Sequence, residues 1–197
     1  MTLTSRERAH VRAPEILSGK LAFVSGAGTG IGRAIVQRLT ELSCTVFGVG
    51  RRHELLEGTA ELVAGAPGSF TWRALDDRDT DAVAAVVADA GEDGGLDLLV
   101  NNAGGQFIAR AEDICSGGWR AVIGLNLDAV FEVTRSAHPY LRRRAGSVVN
   151  LSLSGVERGS CGMAHSIAAR AGVLGLTRTL VQEWSQDGIR LNCIGPG

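Results

Sequence analysis

Apolar residues along this chain gather in short dense runs, and between the runs they recur every three or four positions. The runs are residues 21–24, 45–49, 70–75, 96–100, 148–151 and 189–194, and each has the length of a buried strand. The helical spacing covers 33–39, 54 to about 64, a segment through Val83, Val86 and Val87, 116 to about 144, and 163–186. Asp79 can cap the helix through Val83, while Gly65-Ala66-Pro67-Gly68 and the glycines between Gly91 and Gly95 break the pattern. Strands alternate with helices, and the strands are mostly apolar instead of alternating, with Asp97 the polar exception in the fourth. That combination predicts a parallel sheet covered by helices on both faces. Right-handed crossovers make it a doubly wound three-layer α/β sheet, with ligands at the carboxyl ends of the strands.

The first of those carboxyl ends is rich in glycine. Ser25-Gly26-Ala27-Gly28-Thr29-Gly30-Ile31-Gly32 lies between the first strand and the first helix. A G-x-G-x-x-G pattern is not present, because Ile31 and Arg33 fall where its third glycine is needed; the spacing is Gly26-x-x-x-Gly30-x-Gly32. Strand, glycine loop and helix present free backbone N–H groups and a positive helix end to a phosphate. Gly26, Gly28, Thr29, Gly30, Ile31 and Gly32 are therefore the expected contacts of a dinucleotide. Arg51, Asp76, Asn102 and Ser152 fall at or just after other strand ends, which strengthens this reading. An acidic residue after the second strand would suit the ribose of NAD(H), but Arg51-Arg52 stand there. A guanidinium suits a 2′-phosphate, so NADP(H) is expected over NAD(H). Asp76 could accept from the adenine amino group or cap the next helix.

Composition narrows the partners. The 197 residues suit one domain at 19–197, preceded by a polar arm at 1–18 that lacks the apolar core of a signal peptide. A net charge of -1 offers no attraction to nucleic acid or an anionic membrane, and no apolar run approaches the length of a membrane span. Cys44, Cys115, Cys161 and Cys193 are scattered with no C-x-x-C pair, as in a cytoplasmic protein with reduced thiols. His10, His53, His138 and His165 show no paired spacing, so no metal site is expected.

With these residues placed, the chain resembles the short-chain dehydrogenase/reductase family. The resemblance runs from about Lys20 to the end through Gly26-x-x-x-Gly30-Ile31-Gly32, Asp76, Asn101-Asn102-Ala103-Gly104, Asn126 and Pro196-Gly197. It implies a Rossmann sheet of order 3-2-1-4-5-6. It places Asn102, Ala103, Gly104, Pro196 and Gly197 beside the cofactor, and gives Asn126 the ordering of a water-mediated proton path. It also implies assembly as a dimer or tetramer. The family's chains continue past the Pro-Gly with a substrate lid and a last strand, so six strands are expected over 20–197.

The family's acid is a tyrosine with a lysine four residues on. Here Ser166 and Arg170 occupy those positions, and Leu153, between Ser152 and Ser154, occupies the family's serine. The one tyrosine, Tyr140, and the one lysine, Lys20, lie far apart and cannot form the motif. Gly104-Gly105-Gln106-Phe107, Gly118-Trp119-Arg120-Ala121-Val122, His165-Ser166 and Glu183-Trp184 are similar to the peroxisomal trans-2-enoyl-CoA reductases and their bacterial relatives. That branch implies NADPH-dependent reduction of the 2,3 double bond of an enoyl thioester. Oxidoreduction of a terpenoid or 3-oxoacyl carbonyl is an alternative, and so is a catalytically silent NADP-binding protein. Serine is poorly matched to proton transfer and arginine stays protonated. Both can still donate hydrogen bonds to an oxygen where charge develops, which handicaps carbonyl reduction more than enoyl reduction. The expected roles are Ser166 donating to the substrate carbonyl, Arg170 holding the nicotinamide ribose and Asn126 ordering water. Met163 and Trp119 are expected to pack, and Arg142-Arg143-Arg144 to form a solvated helix end.

Overall fold

β1 (Leu21–Ser25), β2 (Thr45–Gly50), β3 (Ser69–Ala74), β4 (Leu98–Asn101), β5 (Ser147–Leu151) and β6 (Arg190–Ile194) form where the dense apolar runs lie. The structure, a computed structural model, describes residues 15–196, so most of the expected arm and Gly197 lie outside the described residues. All neighbouring strands are parallel, in the expected order β3-β2-β1-β4-β5-β6. β1, β4 and β5 are buried on both faces, which is why their residues are apolar without alternation. β3 and β6 are edges, and their exposure alternates along the strand.

Helices α1 (Gly30–Glu41) and α2 (His53–Leu62) cover one face, with Val36 and Leu56 packed against Ala22, Val24 and Val46. On the other face α3 (Thr80–Gly91), α5 (Ala129–Arg144) and α6 (Ala164–Trp184) bury Val87, Leu141 and Leu180 against Phe23, Leu99 and Val148. Each such side chain contributes roughly 1.5–3 kcal/mol on leaving water. Asp79 caps α3 as expected, its Oδ1 accepting from the Ala82 N–H at 3.1 Å.

Two departures from the expected elements have physical causes. β4 begins two residues late, because Asp97 is not part of the strand. Its Oδ1 accepts from Lys20 Nζ at 2.8 Å and its Oδ2 from the Leu21 N–H at 3.0 Å, which ties the entry of β4 to that of β1. The long helix expected over 116–144 divides into α4 (Ser116–Ile123), a wide π turn at Gly124–Asp128, and α5. The π turn holds Asn126, which is the first sign that this segment serves a site.

A buried polar chain crosses the sheet. Asn101 Nδ2 donates to Thr134 Oγ1 of α5 at 2.8 Å and to Asn150 Oδ1 of β5 at 2.7 Å. Asn150 Nδ2 then donates to Thr177 Oγ1 of α6 at 2.9 Å. Side-chain bonds of this kind fix the register of β4, β5 and two helices where apolar packing alone would be less particular. Arg142, Arg143 and Arg144 are exposed, but each takes an acceptor: Asp187, the Glu92 carbonyl and the Gly94 carbonyl.

α3 meets α5 without clearance at Gly91, where an added Cβ would sit 2.5 Å from the Tyr140 ring. Gly91→Ala is expected to lower stability by about 1–3 kcal/mol, as overpacking does. Urea denaturation should show a lower midpoint at unchanged slope.

Candidate active site

The strand order reverses between β1 and β4, and a cleft of about 300 Å³ opens at their carboxyl ends. Gly26, Gly28, Thr29, Gly30 and Ile31 enter it from the glycine loop, Arg51 and Arg52 from the end of β2, and Asn102, Ala103 and Gly104 from the end of β4. Gly32 is buried behind them. A Cβ there would collide with the Gly26 carbonyl oxygen and lie 2.5 Å from Asn102 Nδ2. Gly26 has φ +67°, a conformation that side chains rarely adopt. Thr29 is the N-cap of α1 but makes no side-chain cap, and the first turn holds no acidic residue. The positive end of the helix therefore faces the cleft with its N–H groups open. Arg51 and Arg52 are exposed, and neither side chain makes a hydrogen bond or ion pair among the described residues.

The loop is held by residues that no spacing marks. Ser25 Oγ accepts from the N–H groups of Asn102 and Ala103 at 3.1 and 3.0 Å. Asn102 Nδ2 donates back to the carbonyls of Ser25 and Gly26 at 3.0 and 3.2 Å. From α2, the buried Thr59 hydroxyl donates to the Ala27 carbonyl at 3.2 Å, and Arg33 donates to Thr59 at 3.1 Å.

Asp76 is not in the cleft. Its carboxylate is held by Arg78 through Nε at 2.9 Å and Nη2 at 2.5 Å, which keeps it down at about 2. The next residue, Asp77, turns inward instead, 4% exposed and lining the cleft. Burial, and then the neighbouring Asp76 charge, push its carboxyl up to about 7, against the pull of Arg51. The single-residue offset inverts the expectation: the acid committed to a surface pair is Asp76, and the one facing the cleft is Asp77.

Ser166 and Arg170 do not line the cleft; they share a face of α6 behind Gly104, and both are buried. The Ser166 hydroxyl donates to Gln106 Oε1 at 2.5 Å. Arg170 points into the protein instead of the cleft. Its Nη1 donates to the Leu151 carbonyl and its Nη2 to Asn126 Oδ1 at 2.8 Å. Burial lowers the guanidinium's pKa from its ordinary value, with the nearby Cys193 opposing. Asn126 is saturated: Oδ1 accepts from Arg170 and from the Gly105 N–H at 3.2 Å, while Nδ2 donates to the carbonyls of Gly105 at 2.7 Å and Val122 at 2.8 Å. An amide offers two donors and two acceptor lone pairs, so the side-chain amide of Asn126 has no capacity left for water. It clamps the loop Gly104-Gly105-Gln106. Gly104 allows the approach, since a Cβ there would strike the Arg170 guanidinium. His165 is fully buried, edge-on to Phe107 at 4.4 Å, with Nδ1 accepting from the Ser166 N–H. Pro196 follows β6 and does not line the cleft.

A profile of the short chain dehydrogenase family matches residues 20–197. The chain belongs to the short chain dehydrogenase family. It is 37% identical over 182 residues to a probable 2,4-dienoyl-CoA reductase ((2E)-enoyl-CoA-producing) of Bacillus subtilis, covering 90% of this chain and 72% of that protein. A 3-oxoacyl-(acyl-carrier-protein) reductase of Thermotoga maritima is 34% identical over 183 residues, 92% of this chain and 74% of that one. The solved citronellol catabolism dehydrogenase of Pseudomonas aeruginosa superposes with a TM-score of 0.89 at 36% identity, covering 95% of this chain and 77% of that one. Among the described residues no helix is long and apolar enough to cross a membrane.

Gln106 was visible in the sequence only as part of a segment and carried no assigned role. Its partner lies 60 residues away. Of the two residues expected to pack, Met163 is buried, whereas Trp119 is 41% exposed and borders a groove with Ile114 and Ala164. Arg170→Met would remove the donor that Arg170 gives the Leu151 carbonyl and one of the two donors to Asn126 Oδ1. Each orphaned buried group costs about 1–3 kcal/mol. Thermal unfolding should show the loss, with Arg170→Lys retaining part of the stability.

Proposed function

We propose that the chain is an NADP(H)-dependent reductase that saturates a conjugated carbon–carbon double bond of an enoyl or dienoyl thioester. The observation that carries this reading is the Ser166–Gln106 pair, which stands where a short-chain dehydrogenase places its acid.

The cleft fits a nicotinamide dinucleotide. Gly26, Gly28 and Gly32 leave a cradle that Cβ atoms would fill, and the open end of α1 faces it. The glycine loop would hold the pyrophosphate, Arg51 and Arg52 a 2′-phosphate, and Asn102 to Gly104 the adenosine side. Bound there, the group supplies a hydride to the substrate's unsaturated carbon.

The chain's own residues then serve the thioester oxygen. The Ser166 proton is engaged by Gln106 Oε1, so the amide is turned with Nε2 outward and without a partner among the described residues. Gln106 Nε2 is the donor aimed at the developing oxyanion, and Ser166 positions it. In this proposal Ser166 acts through Gln106 instead of donating to the substrate oxygen itself. Behind them Arg170 and Asn126 hold the Gly104–Gln106 loop in place. Neither an amide nor a serine hydroxyl releases a proton near neutral pH. An alkoxide formed from a ketone would lack a matched acid. An enolate oxygen needs only donors, while its carbon takes a proton from water. The dienoyl-CoA reductase among the relatives supports the thioester reading; the citronellol and 3-oxoacyl relatives define the competing carbonyl substrates.

Oxidation of NADPH should be fastest with 2,4-dienoyl-CoA or 2-enoyl-CoA in a panel that includes 3-oxoacyl thioesters and terpenoid aldehydes. Faster turnover of the carbonyl substrates, or no turnover of any, would overturn the reading. Gln106→Leu should lower kcat on the unsaturated thioester about 100-fold, the usual loss for one oxyanion donor, and Ser166→Ala by less. Arg51→Asp should weaken NADPH binding about tenfold or more and leave NADH binding nearly unchanged, as measured by fluorescence titration.

A further inference from the structure

The amino ends of the strands, opposite the cleft, border a second cavity of about 310 Å³. β1, β4, β5 and β6 all begin at it, through Lys20, Leu98, Ser147 and Arg190. Part of its wall is apolar, made of Leu17, Leu98, Ala145 and the Cys44 thiol. Burial, and then the nearby Asp97 charge, push that thiol up to about 11, so it remains an uncharged part of the wall.

The rest of the wall is cationic. Lys20, Arg144 and Arg190 line the cavity together with one anion, Asp97. Asp97 is paired with Lys20 at 2.8 Å, which leaves two guanidiniums without an anion. Arg144 spends its Nε on the Gly94 carbonyl at 2.6 Å, and its Nη groups make no bond among the described residues. The Arg190 side chain makes no hydrogen bond or ion pair among the described residues. Ser147 adds a hydroxyl. It is 9% exposed, and its side chain has no hydrogen-bond partner among the described residues. Buried polar groups are ordinarily satisfied, so a nine-tenths buried hydroxyl that lines a cavity without a partner points to a ligand atom.

The two halves of the wall narrow the chemistry of that ligand. A small inorganic anion would meet the guanidiniums and leave the apolar half facing water. A hydrocarbon would do the reverse. A carboxylate on an alkyl chain meets both: guanidiniums bind carboxylates through paired, charge-assisted bonds. A single exposed guanidinium gives a carboxylate little, but two of them, a buried hydroxyl and an apolar wall that excludes water give more. The volume is at the small end of ligand sites, which run from about 300 to 1,000 Å³, so the chain is of medium length.

We propose that this cavity is a second ligand site and takes a medium-chain carboxylate. The carboxylate is held by Arg144 and Arg190 and accepts from Ser147 Oγ, and the alkyl chain lies along Leu17, Leu98 and Ala145. The proposal is independent of the reading of the cleft. Four strand entries and the end of α5 meet at the cavity, so a bound carboxylate ties them together and stabilises the fold by mass action.

The test is isothermal titration of sodium octanoate, and of 1-octanol as its uncharged counterpart, onto the full chain at neutral pH. Wild type should bind octanoate at one site and 1-octanol about tenfold more weakly or worse, as the loss of charge-assisted bonds implies. Arg190→Glu should weaken octanoate binding about tenfold or more and Ser147→Ala about fivefold, with 1-octanol unaffected by either. Neither side chain has a partner within the described residues, so both variants should melt with wild type when no octanoate is added. Octanoate should then raise the melting temperature of wild type and much less that of Arg190→Glu. Arg190→Ala replaces Arg190→Glu if the reversed charge disturbs folding. Saturating NADP+ should leave the octanoate affinity unchanged, and competition between them would place octanoate in the cleft and overturn the proposal. No binding of octanoate by wild type, equal affinity for octanoate and 1-octanol, or wild-type affinity in both variants would overturn it as well.

Discussion

At the head of α1 the backbone passes so close to itself that Gly32 lies on the Gly26 carbonyl, with the Asn102 amide against both. No side chain fits in that space. The approach lets the loop turn at the end of β1 and aims the first N–H groups of α1 into the cleft. Ser25 and Asn102 tie the loop to β4, Thr59 ties it to α2, and so the switch point of the sheet, the helix end and the cleft wall are fixed together. Loosening any of these contacts would blunt the others, because they share the same few carbonyls.

The reacting end depends on a second set of shared groups. Arg170 donates to Asn126, Asn126 grips Gly105 through both its N–H and its carbonyl, and the next residue along, Gln106, meets the Ser166 hydroxyl. The path leaves α6, crosses the π turn and the loop after β4, and returns to α6. Cations of two kinds result. Arg51 and Arg52 stay exposed and available to a ligand, whereas Arg170 is spent on the protein. The chemistry left to the site is hydrogen-bond donation to an oxygen, which is the physical reason for preferring a thioester-conjugated double bond over a ketone.

Several residues show where local pattern stops being informative. Asp76 and Asp77 are adjacent and identical in type, and only the direction in which the chain leaves β3 decides which one is paired with Arg78 and which is buried in the cleft wall. Ser166 and Arg170 were placed correctly on one helix face, but their partners, Gln106, Leu151 and Asn126, come from other elements. Asp97 looked like a polar residue inside a strand and proved to be a link between two strand entries. In each case the deciding partner is many residues away, beyond what periodicity can register.

By itself, the sequence determined the alternation of six strands with helices, the parallel direction of those strands, the glycine loop and the two cations beside it. These follow from apolar spacing, from the absence of side chains at a few positions, and from charge at strand ends, all of which are local. The tertiary structure alone decided which acid faces the cleft, that the Asn126 side-chain amide is fully engaged by the protein, that Arg170 turns inward, and that Gln106 stands against Ser166. A hydrogen-bonding group has few valences, and which partners take them up is settled only when distant segments are packed side by side.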